Sequence, residues 1–426
     1  MSLCLKNYEQ IFSKLYGSDK QKIKYQISRY DKLEKMFIKY FGEQDMHYFS
    51  APGRVEIGGN HTDHNHGRVL AAAINLDTIA IASPTQNDIV TLYSDGYSKP
   101  FTVDLKYKNV NNKETGTTNA LIRGIAARMD DLGDTIGGFN AVVTSDVPIG
   151  SGISSSASIE VLLGCIYNHL HNGGVRALEM LAQIGQFAEN VYFGKPCGLM
   201  DQTACAVGGI ISIDFEDPSI PIIKKIDSSF SQYNYSLLLV NTGDNHVDLT
   251  DDYAGIPDEM RSVAEAMGKE VCREINKDQL IENIPELRKK LGDRPILRAL
   301  HFLDENDRVL KQVLALEMRD FDRFIEYVKA SGESSFKWLQ NIYATKDSKS
   351  QSITLALALT EQFISKIKKG VCRIHGGGFA GTIFVLIPTE YVDEYKNLMK
   401  PVFGKSCVMQ LEIRQQGTIY INKFFK

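Results

Sequence analysis

The sequence predicts an α+β protein of two domains. Its 426 residues exceed one compact core and suit domains of roughly 100–200 residues. Strand-like and helix-like runs mix through both halves without strict alternation. Composition also shifts near residues 215–230, at DPSIP, beyond which amphipathic helix dominates. The expected division is an N-terminal helical extension (1–45), a first domain (46–220) and a second domain (230–426).

The elements follow in order. Residues 1–45 are charged and amphipathic, and NYEQIFSKL and YDKLEKMFIKYFG predict two short helices. YFSAPGRVEIGG runs from a strand into glycines. VLAAAINLDTIAIASPT and DIVTLYSDG read as a strand meander, and NVNNKETGTT as a polar loop. ALIRGIAARMDDLG predicts a helix, and GFNAVVTSDVPIGSG a strand entering a glycine loop. SSSASIEVLLGCIYNHLHNGG and ALEMLAQIGQFAENVYFG are the next two helices. In the second half YSLLLVNTG is a strand and 255–345 is mostly amphipathic helix. A helix (TLALALTEQFISKIKKG), the segment VCRIHGGGFAGTIFVLIP, another helix and a last strand complete the chain.

Bulk composition narrows the function classes. Hydrophobic residues make up 43% and charged residues 23%, an ordinary globular balance. A net charge of −4 argues against nucleic acid or an acidic membrane as the main partner. Met1–Gly17 lacks an apolar core, so it does not read as a signal peptide, and the longest apolar runs fall well short of a membrane span. Seven cysteines contain no CxxC pair. They are expected to be reduced thiols of a cytoplasmic protein.

Four segments carry chemistry. In PIGSGISSSAS (148–158) glycines allow a tight turn and a helix begins among the serines. The exposed N–H groups and dipole of a helix start suit a phosphate, and a serine hydroxyl suits a magnesium shell. A plain serine-capped helix start fits the same residues. The segment is neither a Walker A loop nor a nucleophile elbow. GGGFAG (376–381) spells GxGxxG but leads into the strand-like TIFVLIP, so it reads as a glycine-rich hairpin rather than a dinucleotide fingerprint. GRVEIGGNHTDHNHG (53–67) collects His61, His64, His66 and Asp63. These could ligate a metal, but no cysteine or second cluster joins them, and mixed donors and acceptors stiffened by glycine suit a polyhydroxylated ligand. In CGLMDQ (197–202), Asp201 sits among small apolar residues beyond a helix carrying Glu189. A helix cap and a general base are both open there.

Taken together and in this order, PGRV…HTDHN, PIGSGISSSA, CGLMDQ and GGGFAG resemble the GHMP kinase superfamily and, within it, the galactokinase family. The resemblance runs from about residue 49 to the C-terminus and is weak over 255–345. It implies two α+β domains with the active site in the cleft between them, and ATP- and Mg²⁺-dependent phosphorylation of a sugar's anomeric hydroxyl. It implies that Asp201 is the catalytic carboxylate, oriented by Arg54. Gly150, Ser151, Gly152, Ser154, Ser155 and Ser156 would cradle the ATP phosphates, with Ser156 and Glu189 as magnesium ligands. Gly376, Gly377 and Gly378 would form the third glycine-rich motif. Asn60, His61, Asp63, Gly198 and Tyr253 would bind the sugar. The implied partners are a small-molecule sugar and ATP, with no nucleic acid, no membrane, and a monomer as the default.

The chain departs from that pattern in two places. Family members usually read GEHTDYN, where GNHTDHN stands here. Asn60 replaces a glutamate that accepts a bond from the sugar's C6 hydroxyl, which removes a negative charge; together with His64 it raises galacturonate as an alternative to galactose. In GTTNALIRG (116–124), Thr118 and Leu121 stand where the family often places aromatic residues against adenine. A non-catalytic sugar sensor and a zinc hydrolase built on the histidines are the competing classes. The complete serine-rich loop favours an enzyme over the first, and the isolation of the histidines counts against the second.

Overall fold

The computed structural model describes residues 5–148, 152–243, 250–344, 349–379 and 381–424. It opens with α1 (Leu5–Tyr16) and α2 (Lys20–Phe41). The second helix is a single 22-residue rod rather than a short one. Asp19 caps its start, accepting from the Gln21 and Lys22 amides, and Gly42 ends it. Ile23, Tyr30, Leu33 and Phe37 then fall on one buried face.

The first half continues as β1 (His47–Gly58), β2 (Arg68–Pro84), β3 (Ile89–Ser94), β4 (Phe101–Asp104), α3 (Thr118–Asp131) and β5 (Phe139–Ser145). There follow α4 (Ser155–His171), α5 (Leu178–Phe187), α6 (Met200–Val207), β6 (Ile210–Asp214) and β7 (Ile222–Ile226). The second half comprises β8 (Tyr235–Asn241), α7 (Thr250–Ala266), α8 (Lys277–Leu291), α9 (Asp293–Glu317), α10 (Phe321–Ser334) and α11 (Ser352–Ile367). It ends with β9 (Val371–Ile374), β10 (Thr382–Pro388), α12 (Val392–Phe403), β11 (Val408–Leu411) and β12 (Ile419–Tyr420).

An eight-stranded sheet runs in the order β12-β1-β2-β5-β3-β4, with β6 beside β2 and β7 outside β6. A four-stranded antiparallel sheet runs β11-β8-β10-β9. The last strand, placed by its sequence position in the 230–426 unit, therefore joins the first sheet: Ser50 pairs with Ile419.

The long strand β2 is rich in alanine and β-branched residues and is covered on both sides, as its near-continuous burial requires. On one side Ala71, Ala80 and Phe49 pack with Ile122, Leu162 and Ala204 of α3, α4 and α6. Val55, Ile57 and Leu70 pack instead with Leu239 and Phe384 of the second sheet and Phe324 of α10. The two halves thus share apolar packing across β1 and β2. α2 closes the remaining surface over Ile79, Ile81 and Val142. No helix among the described residues is long and apolar enough to cross a membrane.

Candidate active site

Between the halves lies a cleft of about 610 Å³, into which all four motifs project. Arg54, on β1, forms a two-pronged pair with Asp201 in the first turn of α6: Nε to Oδ1 at 2.6 Å and Nη2 to Oδ2 at 2.7 Å. Its remaining Nη1 donates to the Gly152 carbonyl at 2.5 Å. The planar guanidinium matches a carboxylate in this geometry and fixes its orientation. Burial alone would raise the Asp201 pKa, but the Arg54 charge, bonds from Arg54 and Ser154, and nearby Lys195 hold it below the ordinary value. Asp201 is therefore an anion at neutral pH.

At one position of the serine loop the plain serine cap does not form. Ser154 occupies the cap position of α4 with a left-handed backbone (φ 59°), yet its side chain makes no capping bond. Its hydroxyl donates to Asp201 Oδ2 instead. Ser155 and Ser156, in the first turn of α4, line the cleft, as does Gly152. Gly150 and Ser151 lie outside the described residues.

Glu189, in a widened turn after α5, faces the same cleft as Ser156. Its carboxylate accepts from Gln202 Nε2 at 2.9 Å and from Lys195 Nζ at 3.3 Å. Gln202 also donates to Glu160, whose Oε1 is buried without a partner among the described residues. One hydroxyl and one carboxylate are hard-oxygen donors that fit magnesium, which takes few protein ligands and fills its shell with water and phosphate oxygens. Among the described residues, those of 61–66 included, no group of three or more His, Cys, Asp or Glu side chains is placed to hold a metal.

His61 and His64 serve the cleft differently. His61 is buried, and burial drives its pKa down to about 3, so the ring is neutral. Its Nε2 meets the Gly377 carbonyl at 2.9 Å and must donate there. That leaves Nδ1 as an acceptor, and it is buried without a partner among the described residues. His64 Nε2 lies 3.1 Å from the Tyr253 hydroxyl. Asp63 rests directly on Gly198: a Cβ there would fall 1.9 Å from Asp63 Oδ2, so no larger residue fits without moving it.

β9 and β10 pair antiparallel, and Gly376–Phe379 lead from one toward the other, as the strand-like sequel of GGGFAG implied; Ala380 lies outside the described residues. Gly376 and Gly377 offer their carbonyls to Asn60 and His61. A side chain at Gly377 would collide with the Tyr253 ring, 2.6 Å away.

Asn60 lines the cleft, as expected of a sugar contact, but its amide is committed to the protein. It is fully buried, and both ends of its amide are engaged within the protein. Nδ2 donates to Glu56 Oε1 (3.0 Å) and Gly376 O (2.8 Å); Oδ1 accepts from Asn341 (2.9 Å) and Ser335 (3.3 Å). The negative charge missing at residue 60 reappears beside it at Glu56, which pairs with Arg373 at 2.7 Å. Thr118 and Leu121 do not line the cleft; Leu121 belongs to the core.

Sequence reasoning missed Glu56, Lys195 and Arg373. Glu56 was legible in principle, because residues 54 and 56 of a strand share a face. Lys195 immediately precedes the PCGLMD motif. Arg373 carried no local signal.

Comparison with known proteins gives the family. Residues 35–84 match the galactokinase galactose-binding signature and residues 120–209 the N-terminal domain of GHMP kinases. The galactokinase of Glaesserella parasuis serovar 5 is 30% identical over 383 residues, covering 88% of this chain and 94% of that protein. The chain belongs to the galactokinase family. A second family member, the galactokinase of Lacticaseibacillus paracasei, is 30% identical over 373 residues, covering 85% and 90% of the two chains. The crystal structure of Lactococcus lactis galactokinase complexed with galactose superposes with a TM-score of 0.78 at 23% identity, over 92% of this chain and all of that one. A mevalonate kinase shares the fold more distantly, at 0.57 and 19% identity, over 87% of this chain and 99% of that one. The family membership makes this chain a sugar kinase with the GHMP fold.

Proposed function

We propose that the chain transfers the γ-phosphoryl group of ATP to the anomeric hydroxyl of galactose, giving galactose 1-phosphate and ADP. The observation that carries this is the Asp201 carboxylate, held anionic by Arg54 and Ser154 at the meeting point of the serine-rich loop and the polar cluster of residues 61–63. The C1 oxygen attacks the γ-phosphorus as the bond to the β,γ-bridging oxygen breaks, and the hydroxyl proton passes to Asp201. A carboxylate of lowered pKa is a weak base, which suits a loose transition state in which the proton is shed late. Its first task is to align the hydroxyl. Arg54, next to it, offsets the negative charge gathered at the reacting centre.

Ser156 and Glu189 would hold magnesium, which when bound neutralises phosphate charge. Lys195 keeps the Glu189 carboxylate compensated before that. His61 Nδ1 and Asp63 accept sugar hydroxyls, and Tyr253 closes over them. The carboxylate of Glu56 behind Asn60 weakens the case for galacturonate, whose own carboxylate it would repel.

The test is Asp201→Asn, which keeps size and polarity. Phosphorylation of galactose is expected to fall by about 10²–10⁴-fold, with ATP affinity nearly unchanged by calorimetry. Turnover within tenfold of the unaltered protein would remove Asp201 from the reaction.

A further inference from the structure

A buried ion pair is a poor stabiliser, because desolvation consumes most of its Coulomb gain. One placed against a substrate cleft therefore calls for another explanation. Glu56 and Arg373 form such a pair, 2% and 1% exposed. The pair is held rigidly. Arg373 Nη1 donates to the Ile57 carbonyl at 2.9 Å, and the Glu56 amide donates to His375 Nε2 at 3.0 Å. Its two oxygens are not equally occupied. Oε1 accepts from Arg373 and from Asn60, whereas Oε2 has only the longer 3.3 Å contact with Asn60.

Glu56 lies two residues beyond Arg54 in a regular stretch of β1, where Arg54 pairs with Ala73 and Glu56 with Ala71. That spacing sets the two side chains on one face, about 7 Å apart along the strand, which is about the span of a hexopyranose. Both line the cleft.

We propose that Glu56 is the residue that reads the far end of the sugar, its Oε2 accepting a bond from a hydroxyl remote from the one phosphorylated. Arg373 and Asn60 are positioning residues that aim it. This rests on the kinase reading above and names the group behind its selectivity for a neutral, hydroxylated sugar.

The experiment compares kcat/KM of the unaltered protein and Glu56→Gln on galactose and on its 2-, 3-, 4- and 6-deoxy derivatives. At pH 8, above the value of about 7 to which burial raises Glu56, a bond to this charged acceptor is expected to be worth about 10- to 100-fold. Glu56→Gln should lose that factor on galactose and on every derivative except one, where the loss should shrink to a few-fold. The exceptional sugar identifies the hydroxyl. Equal loss on all five sugars, or no loss on any, would overturn the assignment while leaving the kinase reading intact. Absence of turnover by the unaltered protein on every sugar would overturn both. Glu56→Asp keeps the charge opposite Arg373 while withdrawing the oxygens; it should give the same selective pattern, and serves if Glu56→Gln does not fold.

Discussion

At the scale of single residues the site is built by contacts too close to allow substitution. Gly198 shows this most directly, because its missing Cβ is the space that Asp63 Oδ2 occupies. Its backbone needs no left-handed conformation, so alanine is tolerated by the chain and not by the neighbour. Gly198→Ala is expected to push Asp63 off its position and raise KM for the sugar at least tenfold, with KM for ATP and the melting temperature little changed. An unaltered sugar KM in steady-state kinetics would show that Asp63 does not touch the substrate. This contact also marks how far sequence reading reaches. Gly198, Asp63, Arg54 and Asp201 were legible as members of ordered motifs, but which motif touches which was not, since 135 residues separate Asp63 from Gly198. Asn60 shows the opposite limit. Its identity was plain, yet whether its amide faced ligand or protein depended on Ser335, Asn341 and Gly376, which only folding brings to it.

At the scale of elements, the N-terminal helices do more than cover the first sheet. α2 drives Arg29 into the interior, where it donates to Asp77 Oδ1 at 2.6 Å and to the Asp77 carbonyl at 3.0 Å. Tyr16 of α1 bonds the other oxygen at 2.6 Å, and Arg414 reaches it from the C-terminal segment at 2.8 Å. Burial would raise the Asp77 pKa; Arg29, Arg414 and the hydroxyls of Ser50 and Tyr16 outweigh it and keep the carboxylate charged. One buried anion on β2 thus ties both ends of the chain to the central sheet. The amphipathic period of α2 was visible in the sequence, but an arginine on its buried face has no meaning until Asp77 is beside it. Removing one partner of a buried pair commonly costs 3–5 kcal/mol. Because Arg414 still faces the carboxylate, Arg29→Ala is expected to lose about 3 kcal/mol, read from urea denaturation. A loss below about 1 kcal/mol would mean that the helices cover the sheet without anchoring it.

At the scale of the whole molecule, the halves are joined through buried titratable groups, and these set how stability responds to pH. His61, His301 and His375 are all buried where β1, α9 and the β9–β10 hairpin meet, and burial lowers the pKa of each. His61 faces His64, His301 and Arg298; His301 faces Glu305, Arg308 and Arg373; His375 faces Arg54, Arg373 and Asp201. A histidine held neutral in the fold contributes stability fully above its unfolded pKa of about 6.5 and loses it as pH falls, because the unfolded chain then binds more protons. With a folded value of about 3, His61 alone costs about 2 kcal/mol between pH 7 and pH 5. Glu56 acts in the opposite direction. Burial raises its pKa to about 7 against the pull of Arg373, so its contribution is fullest below about 4.5 and is lost as pH rises toward 7. Acidification to pH 5 therefore returns about 2 kcal/mol and offsets His61. Glu160, raised by burial and by Glu189, acts with Glu56, whereas His301, His375, His169 and His171, all lowered by burial, act with His61 and outnumber the carboxyls. Stability is expected to be lower at pH 5 than at pH 7, measured as a falling urea midpoint at constant slope. Replacing His375 by glutamine, which can still accept from the Glu56 amide, should flatten that dependence. An equal or higher midpoint at pH 5 would mean that one of these imidazoles takes up its proton inside the fold, and the neutral His61 acceptor assigned to the sugar would be the first role to re-examine.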